Sequence, residues 1–180
     1  MSKFYISDLH FGHENVIRHD NRPFKDVEQM NKALIMNWNN AVNYDDEVFV
    51  LGDFAWKNSV GVEALQQMKG KKFLIIGNHD KITEEVSEYF EWVKDYAVVK
   101  DGVNQVILCH YPIAHYYNQY RGSVHLYGHV HNTKDYTAFL QYGEVCKKLD
   151  IPFECYNVGC MMTYMNYSPK TLDEIRTAVK

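Results

Sequence analysis

Asp8 and His10, Asp53, Asn78 and His79, His110, and His129 and His131 each stand directly after one of five short apolar runs. All are carboxylate, amide or imidazole and none is a thiolate, the donor set of a hard or borderline divalent cation in a mostly octahedral site. Nine of 180 residues are histidine, so their placement carries weight. In an extended segment residues i and i+2 point the same way, which predicts that Asp8 with His10, and His129 with His131, reach one small volume. Gly52, Gly77 and Gly128 directly precede these positions, where a missing side chain permits a sharp turn and close backbone approach. So many donors exceed what one cation needs. They suit two cations about 3.5 to 4 Å apart sharing a carboxylate, an arrangement used for in-line displacement at phosphorus.

The ordered pattern Asp8-Leu9-His10, Gly52-Asp53, Gly77-Asn78-His79-Asp80, His110, Gly128-His129-Val130-His131 resembles that of the calcineurin-like metallophosphoesterases. Each piece alone is weak; five in order are specific. The resemblance implies a four-layer αββα sandwich within the α/β class. It also implies that Asp8, His10 and His131 hold a first metal, that Asp53 bridges, and that Asn78, His110 and His129 hold a second. His79 would be no ligand but the acid that contacts the scissile phosphate and protonates the leaving oxygen, with Asp80 orienting its ring. A hydroxide shared by the metals would attack phosphorus in line, with no covalent enzyme intermediate. Manganese is the favoured ion on donor chemistry, with iron, nickel, cobalt or zinc as alternatives.

Elements must deliver these residues to one place. Phe4-Tyr5-Ile6, Val48 to Leu51, Phe73 to Ile76, Val106 to Cys109 and Val124 to Tyr127 read as short strands covered on both faces, whose carboxyl ends carry the chemistry. Val27, Met30, Leu34, Trp38 and Ala41 line one helical face, with Asp26 as N-cap and Gln29 as its partner. Further helices are predicted over 59–69, from Thr83 to about Trp92, and less clearly over 134–149, where Gly143 interrupts. Asp101-Gly102 marks a hairpin. A last strand near 153–158 precedes a C-terminal helix with a Thr171/Glu174 capping box. Residues 1–180 read as a single domain.

The charge balance, 19 basic against 23 acidic residues, gives a formal −4 and no general attraction for nucleic acid; Lys69, Lys71 and Lys72 read as a solvated turn. Two divalent cations would add +4, leaving the cleft locally positive. No apolar run approaches the roughly 20 residues of a membrane span. Asp8 and His10 fall where a secretory leader needs its apolar centre, so a cytoplasmic location is expected. Cys109, Cys146, Cys155 and Cys160 show no zinc-site spacing and read as reduced, with Cys109 a buried thiol.

Other residues near the pattern are candidates. His13 and Arg22 are candidates for contacting substrate phosphate, Arg22 as a bidentate clamp or else a solvated charge; Asn15 and Arg18 share their segment. His19, His115 and His125 read as surface or packing residues. Tyr111, Tyr116, Tyr117 and Tyr120 either stack a nucleobase or cover their loop. The expected activity is hydrolysis of phosphodiesters and of small activated monoesters. A nucleic-acid or cyclic-phosphate end-processing enzyme is the alternative, and a non-catalytic scaffold fits less well because no ligand position is lost.

Overall fold

A computed structural model describes residues 1–179. The first sheet is wholly parallel, in the order β1 (Lys3–Ile6), β2 (Glu47–Leu51), β3 (Lys71–Ile75) and β4 (Val93–Lys94). The second runs β5 (Tyr96–Asp101), β6 (Asn104–Cys109), β7 (Val124–Tyr127) and β8 (Cys155–Asn157), with only β5 and β6 antiparallel. Consecutive residues of β1, β2 and β7 are buried, so both faces of each sheet are covered and the strands read as unbroken apolar runs. The result is the expected α/β architecture of two sheets and flanking helices, with one continuous apolar core drawing on both sheets.

Within the first sheet Tyr5, Phe49 and Phe73 lie in register on neighbouring strands and stack at 5.5 and 4.7 Å. This aromatic ladder fixes the register that carries the strand ends to a common level. The Tyr5 hydroxyl donates to Asp101 at the end of β5, 3.0 Å away, tying one sheet to the other. Beyond β1 and β8, Ser7 and Gly159 form a parallel bridge, so the sheets also meet through backbone beside the strand ends that bear the chemistry.

The helices follow the apolar periodicity with local corrections. In α1 (Glu14–His19) only Val16 is buried. Helix α2 (Val27–Ala41) buries Met30, Leu34 and Trp38, and Asp26 caps it by accepting from the Gln29 amide; the Gln29 side chain reaches the Lys25 amide instead of closing a box. Helix α3 (Asn58–Leu65) ends earlier than predicted. Helix α4 shrinks to Glu84–Ser87 because the next residues are recruited by β3: Glu91 donates to Lys72, and Leu74 donates to Trp92. Tertiary pairing outweighs helix propensity there. Helix α5 (Lys134–Lys148) runs unbroken through Gly143, where a Cβ would stand 3.1 Å from the Phe153 ring. Helix α6 (Leu172–Ala178) carries the predicted Thr171/Glu174 box.

Two side chains and the backbone of the paired residues depart from expectation. Lys72 is buried, its ammonium donating to the Met68 and Gly70 carbonyls; a turn that exposes backbone acceptors needs a donor beneath it. Cys109 is only half-buried, because it lies at the open end of β6. The two residues of each D-x-H and H-x-H pair are not extended but left-handed. Asp8, His10, Asp53, His129 and His131 all have φ between 44 and 68°. Among the described residues no helix is long and apolar enough to cross a membrane.

His125 is fully buried in β7, with Nδ1 facing the Ile107 carbonyl and Nε2 accepting from the Ile113 amide. Both ring atoms are satisfied only in the neutral form, and burial pulls the imidazole down to about 4. The unfolded chain therefore binds the extra proton between about pH 6.5 and 4, and stability falls as pH falls through that window. Urea unfolding of the metal-free protein should show wild type losing about 3 kcal/mol more than His125→Gln across this range. Parallel pH dependences in the two proteins would rule out the buried neutral base.

Candidate metal centre

The carboxyl ends of β1, β2 and β3 from one sheet face those of β6 and β7 from the other, bringing all seven predicted donors to the seam. Asp8, His10, Asp53 and His131 each offer a ligand atom, and the four atoms lie within 4.8 Å of one another. His10 Nε2 stands 3.4 Å from His131 Nε2 and 3.6 Å from Asp53 Oδ2, while His131 Nε2 stands 3.5 Å from Asp8 Oδ1. On the other side of Asp53, His110 Nε2 lies 3.1 Å from Asn78 Oδ1 and 3.6 Å from the same Asp53 Oδ2. The His129 ring packs against His110 at 5.1 Å. The His129 and His131 rings thus lie on opposite sides of Asp53, because their left-handed backbone turns them apart where an extended segment would align them.

Hydrogen bonding fixes the tautomers that leave lone pairs pointing inward. His110 Nδ1 donates to the Leu51 carbonyl at 2.7 Å, and His131 Nδ1 to Asp20 Oδ1 at 2.6 Å. His110 Nε2 is then an acceptor facing other acceptors, and His131 Nε2 becomes one once its proton leaves, a clash that a cation resolves. Burial holds His10 down at about 3, so its ring is neutral. Burial acts the same way on His131, but the Asp20 and Asp8 carboxylates outweigh it and push that ring up to about 10. A proton and a cation therefore compete for the space at His131 Nε2. Asp8 is held well below the usual carboxylate range by its histidine neighbours, against the cost of complete burial. The donor chemistry, the inward lone pairs and the close spacing fit divalent cations.

The supporting backbone is built to match. Asp53 Oδ1 accepts from the His79 amide at 2.9 Å, turning Oδ2 towards both histidine sets. A Cβ on Gly77 would lie 2.3 Å from Asp53 Oδ1, and one on Gly128 2.5 Å from Asp8 Oδ2. Left-handed backbone at a non-glycine residue costs of order 1 kcal/mol or more, and here it gathers at ligand positions.

Two predicted roles give way to different geometry. The Asp80 carboxylate does not orient the His79 ring; it accepts from the backbone amides of Asp53, Phe54 and Gly77 at 2.8 to 2.9 Å. It fastens the β2 and β3 loops together, because their turning amides have no strand partners. Burial pushes its carboxyl up to about 6 against those three donors. Arg22 is neither a solvated charge nor free to clamp phosphate. It is 4% exposed and spends its donors on the Asp8 and Leu9 carbonyls, Asp20 Oδ2 and the Met30 sulfur. The segment after α1 folds it inward under the β1 loop.

His13 lies at the rim, its ring 5.3 Å from His10 and stacked on Trp56 at 4.2 Å and 11°. Burial, followed by the neighbouring His79, holds it below its ordinary value. His79 is exposed, its ring 5.5 Å from His10 and 5.2 Å from Trp56. Tyr111 packs on His129 at 4.5 Å, whereas Tyr116 is buried and bonded to the Glu154 backbone. Asp20 and Trp56 escaped the sequence reading. Asp20 carries no motif, and its only sequence signal is proximity to Arg22. Trp56 follows the Gly-Asp pair by three residues.

This fold and site agree with the relationships of the chain. The calcineurin-like phosphoesterase superfamily domain matches residues 1–159, and the protein belongs to that superfamily. An uncharacterized protein of Methanocaldococcus jannaschii is 34% identical, the alignment covering 97% of this chain and 90% of that one. The gene 66 protein of Mycobacterium phage L5 is 29% identical over 72% of this chain and 77% of its own. Among solved structures, a protein of unknown function from Aquifex aeolicus superposes with a TM-score of 0.73 at 27% identity, covering 97% of both chains.

Asp20 joins a fixed cation, Arg22, to a ligand ring, His131. Replacing Asp20 by Asn keeps an acceptor for the Nδ1 proton but removes the charge that makes the imidazole a stronger donor. Calorimetric titration of the chelated protein with manganese should show the tighter binding step weakened about 10- to 100-fold in Asp20→Asn. Unchanged affinity would reduce Asp20 to a packing role.

Proposed function

We propose that this chain is a phosphohydrolase that takes two divalent cations, manganese favoured, and cleaves phosphodiesters and small activated phosphomonoesters. One domain spanning residues 1–180 carries the activity. Family membership supplies the phosphate-ester substrate class. The observation that carries the dinuclear reading is Asp53, whose Oδ2 stands 3.6 Å from both His10 Nε2 and His110 Nε2. Asp8, His10 and His131 would hold one cation and Asn78, His110 and His129 the other, with Asp53 between them. Bound there, divalent ions supply a water of lowered pKa and neutralise charge on the phosphoryl oxygens.

The protein's own part is positional and acid–base. Fixed Nδ1 donors keep His110 and His131 presenting Nε2 inward, and the His79 amide keeps Asp53 turned to both sides. The exposed His79 ring stands beside the cluster without a carboxylate partner, free to follow the leaving oxygen and give it a proton. His13 completes that rim as a neutral imidazole within reach of the phosphate.

Chelated protein should hydrolyse bis-para-nitrophenyl phosphate and para-nitrophenyl phosphate only after manganese is restored. Absence of metal-dependent turnover of either ester sinks the hydrolase reading. Asp53→Asn is expected to lose cation binding and turnover together. His79→Asn should keep its cations while slowing poor leaving groups most, by about 10²- to 10⁴-fold. Equal slowing across leaving groups would remove the acid role from His79.

A further inference from the structure

The cation ligands account for the phosphate but leave the organic half of the ester without a contact. On the rim beside His79 stands Trp56, 45% exposed. Its backbone amide donates to the Phe11 carbonyl at 2.9 Å, and Phe11 bridges Ala55, so the residue is anchored to the loop that carries His10. One indole face lies parallel on the His13 ring. The indole centroid is 5.2 Å from the His79 ring, itself 5.5 Å from the ligand His10. A large apolar ring is thus held rigid, backed on one side and open to water, two rings away from the phosphate position. Tyr111 on the opposite rim meets His129 and His110 at steep angles of 61 and 75°, the geometry of a buttress against the ligand rings.

We infer that Trp56, backed by His13, is the stacking platform for a nucleobase, and that the substrates are nucleoside phosphate esters. This rests on the phosphohydrolase reading above. A pentose spans the gap between a phosphoryl group at the cations and a base on the indole. Stacking is tolerant of base identity because every base has a π-face. Because the indole is already ordered, little rotamer entropy is lost on contact.

The test compares adenosine 5′-monophosphate with ribose 5-phosphate, which differ only by the base, as competitive inhibitors of the manganese-loaded protein. Phenyl phosphate reports whether any aromatic ring suffices. The nucleotide should bind about tenfold or more tightly than ribose 5-phosphate and phenyl phosphate, and Trp56→Ala should collapse that ratio to near one. Trp56→Phe keeps a stacking face and should keep most of the ratio, while abolishing the quenching of tryptophan fluorescence that the nucleotide produces in wild type. Equal inhibition by nucleotide and ribose phosphate, or a ratio that survives in Trp56→Ala, overturns the platform and leaves the hydrolase reading standing. Phenyl phosphate matching the nucleotide overturns the nucleobase assignment. Binding of none of the three overturns the phosphohydrolase reading itself.

Discussion

Two carboxylates, Asp8 and Asp53, are buried at the seam between the sheets among imidazoles, and this concentration of inward-facing donor atoms is what the surrounding structure is arranged to sustain. Unpaired charge in such a place is costly. The buried guanidinium nearby, Arg22, does not neutralise either carboxylate; it is directed to Asp20 and to the Asp8 and Leu9 carbonyls. In the metal-free protein the raised His131 supplies part of the compensation, and cations would supply the rest. The glycines that make room for Asp8 and Asp53, the left-handed ligand residues and the Asp80 clasp all hold that frustrated cluster in shape until they arrive.

The pattern of ligand types was visible in the chain because each donor follows an apolar run, and parallel strands deliver their carboxyl ends to one side. The α/β class was visible for the same reason, the pairing of two sheets only through the family resemblance, and the Asp101-Gly102 hairpin from its turn chemistry. What stayed hidden is what depends on long-range backbone demand. Asp80 is next to His79 in sequence, so pairing them was natural. Only the folded loops expose three amides that claim the carboxylate first. Arg22 reads as a phosphate clamp or a solvated charge because nothing local announces the carbonyls it must satisfy. The end of α4 was missed because β3 needed an edge partner. The left-handed ligands escaped because non-glycine residues give no local sign of positive φ.

The support around the cluster is graded in chemistry. Close to the ligands it is charged or strongly polar: Asp20 on His131, and the Ser7 hydroxyl and His129 amide on Asp8. One layer out it becomes neutral, with the buried Cys160 thiol donating to the Asp8 carbonyl and Asn157 donating to the His131 carbonyl. At the rim it turns aromatic. In the proposed reading the charged groups would act at the phosphate and the Trp56 indole on the ester's organic half, so a change at Trp56 would alter selectivity while leaving the donor cluster in place.

The ligands are also divided between the sheets. Asp8, His10, Asp53 and Asn78 come from loops of the first, and His110, His129 and His131 from loops of the second. Each proposed donor set spans the seam, so a cation there would be a rivet through two plates. Each sheet keeps its own strand ladder when the rivets are drawn, but the joint between the sheets is then left to contacts such as the Ser7–Gly159 bridge, the Tyr5–Asp101 bond and the shared core. Loading would then be mechanical as well as chemical: the same ions that would activate a phosphate ester would also set the stiffness of the joint between the sheets.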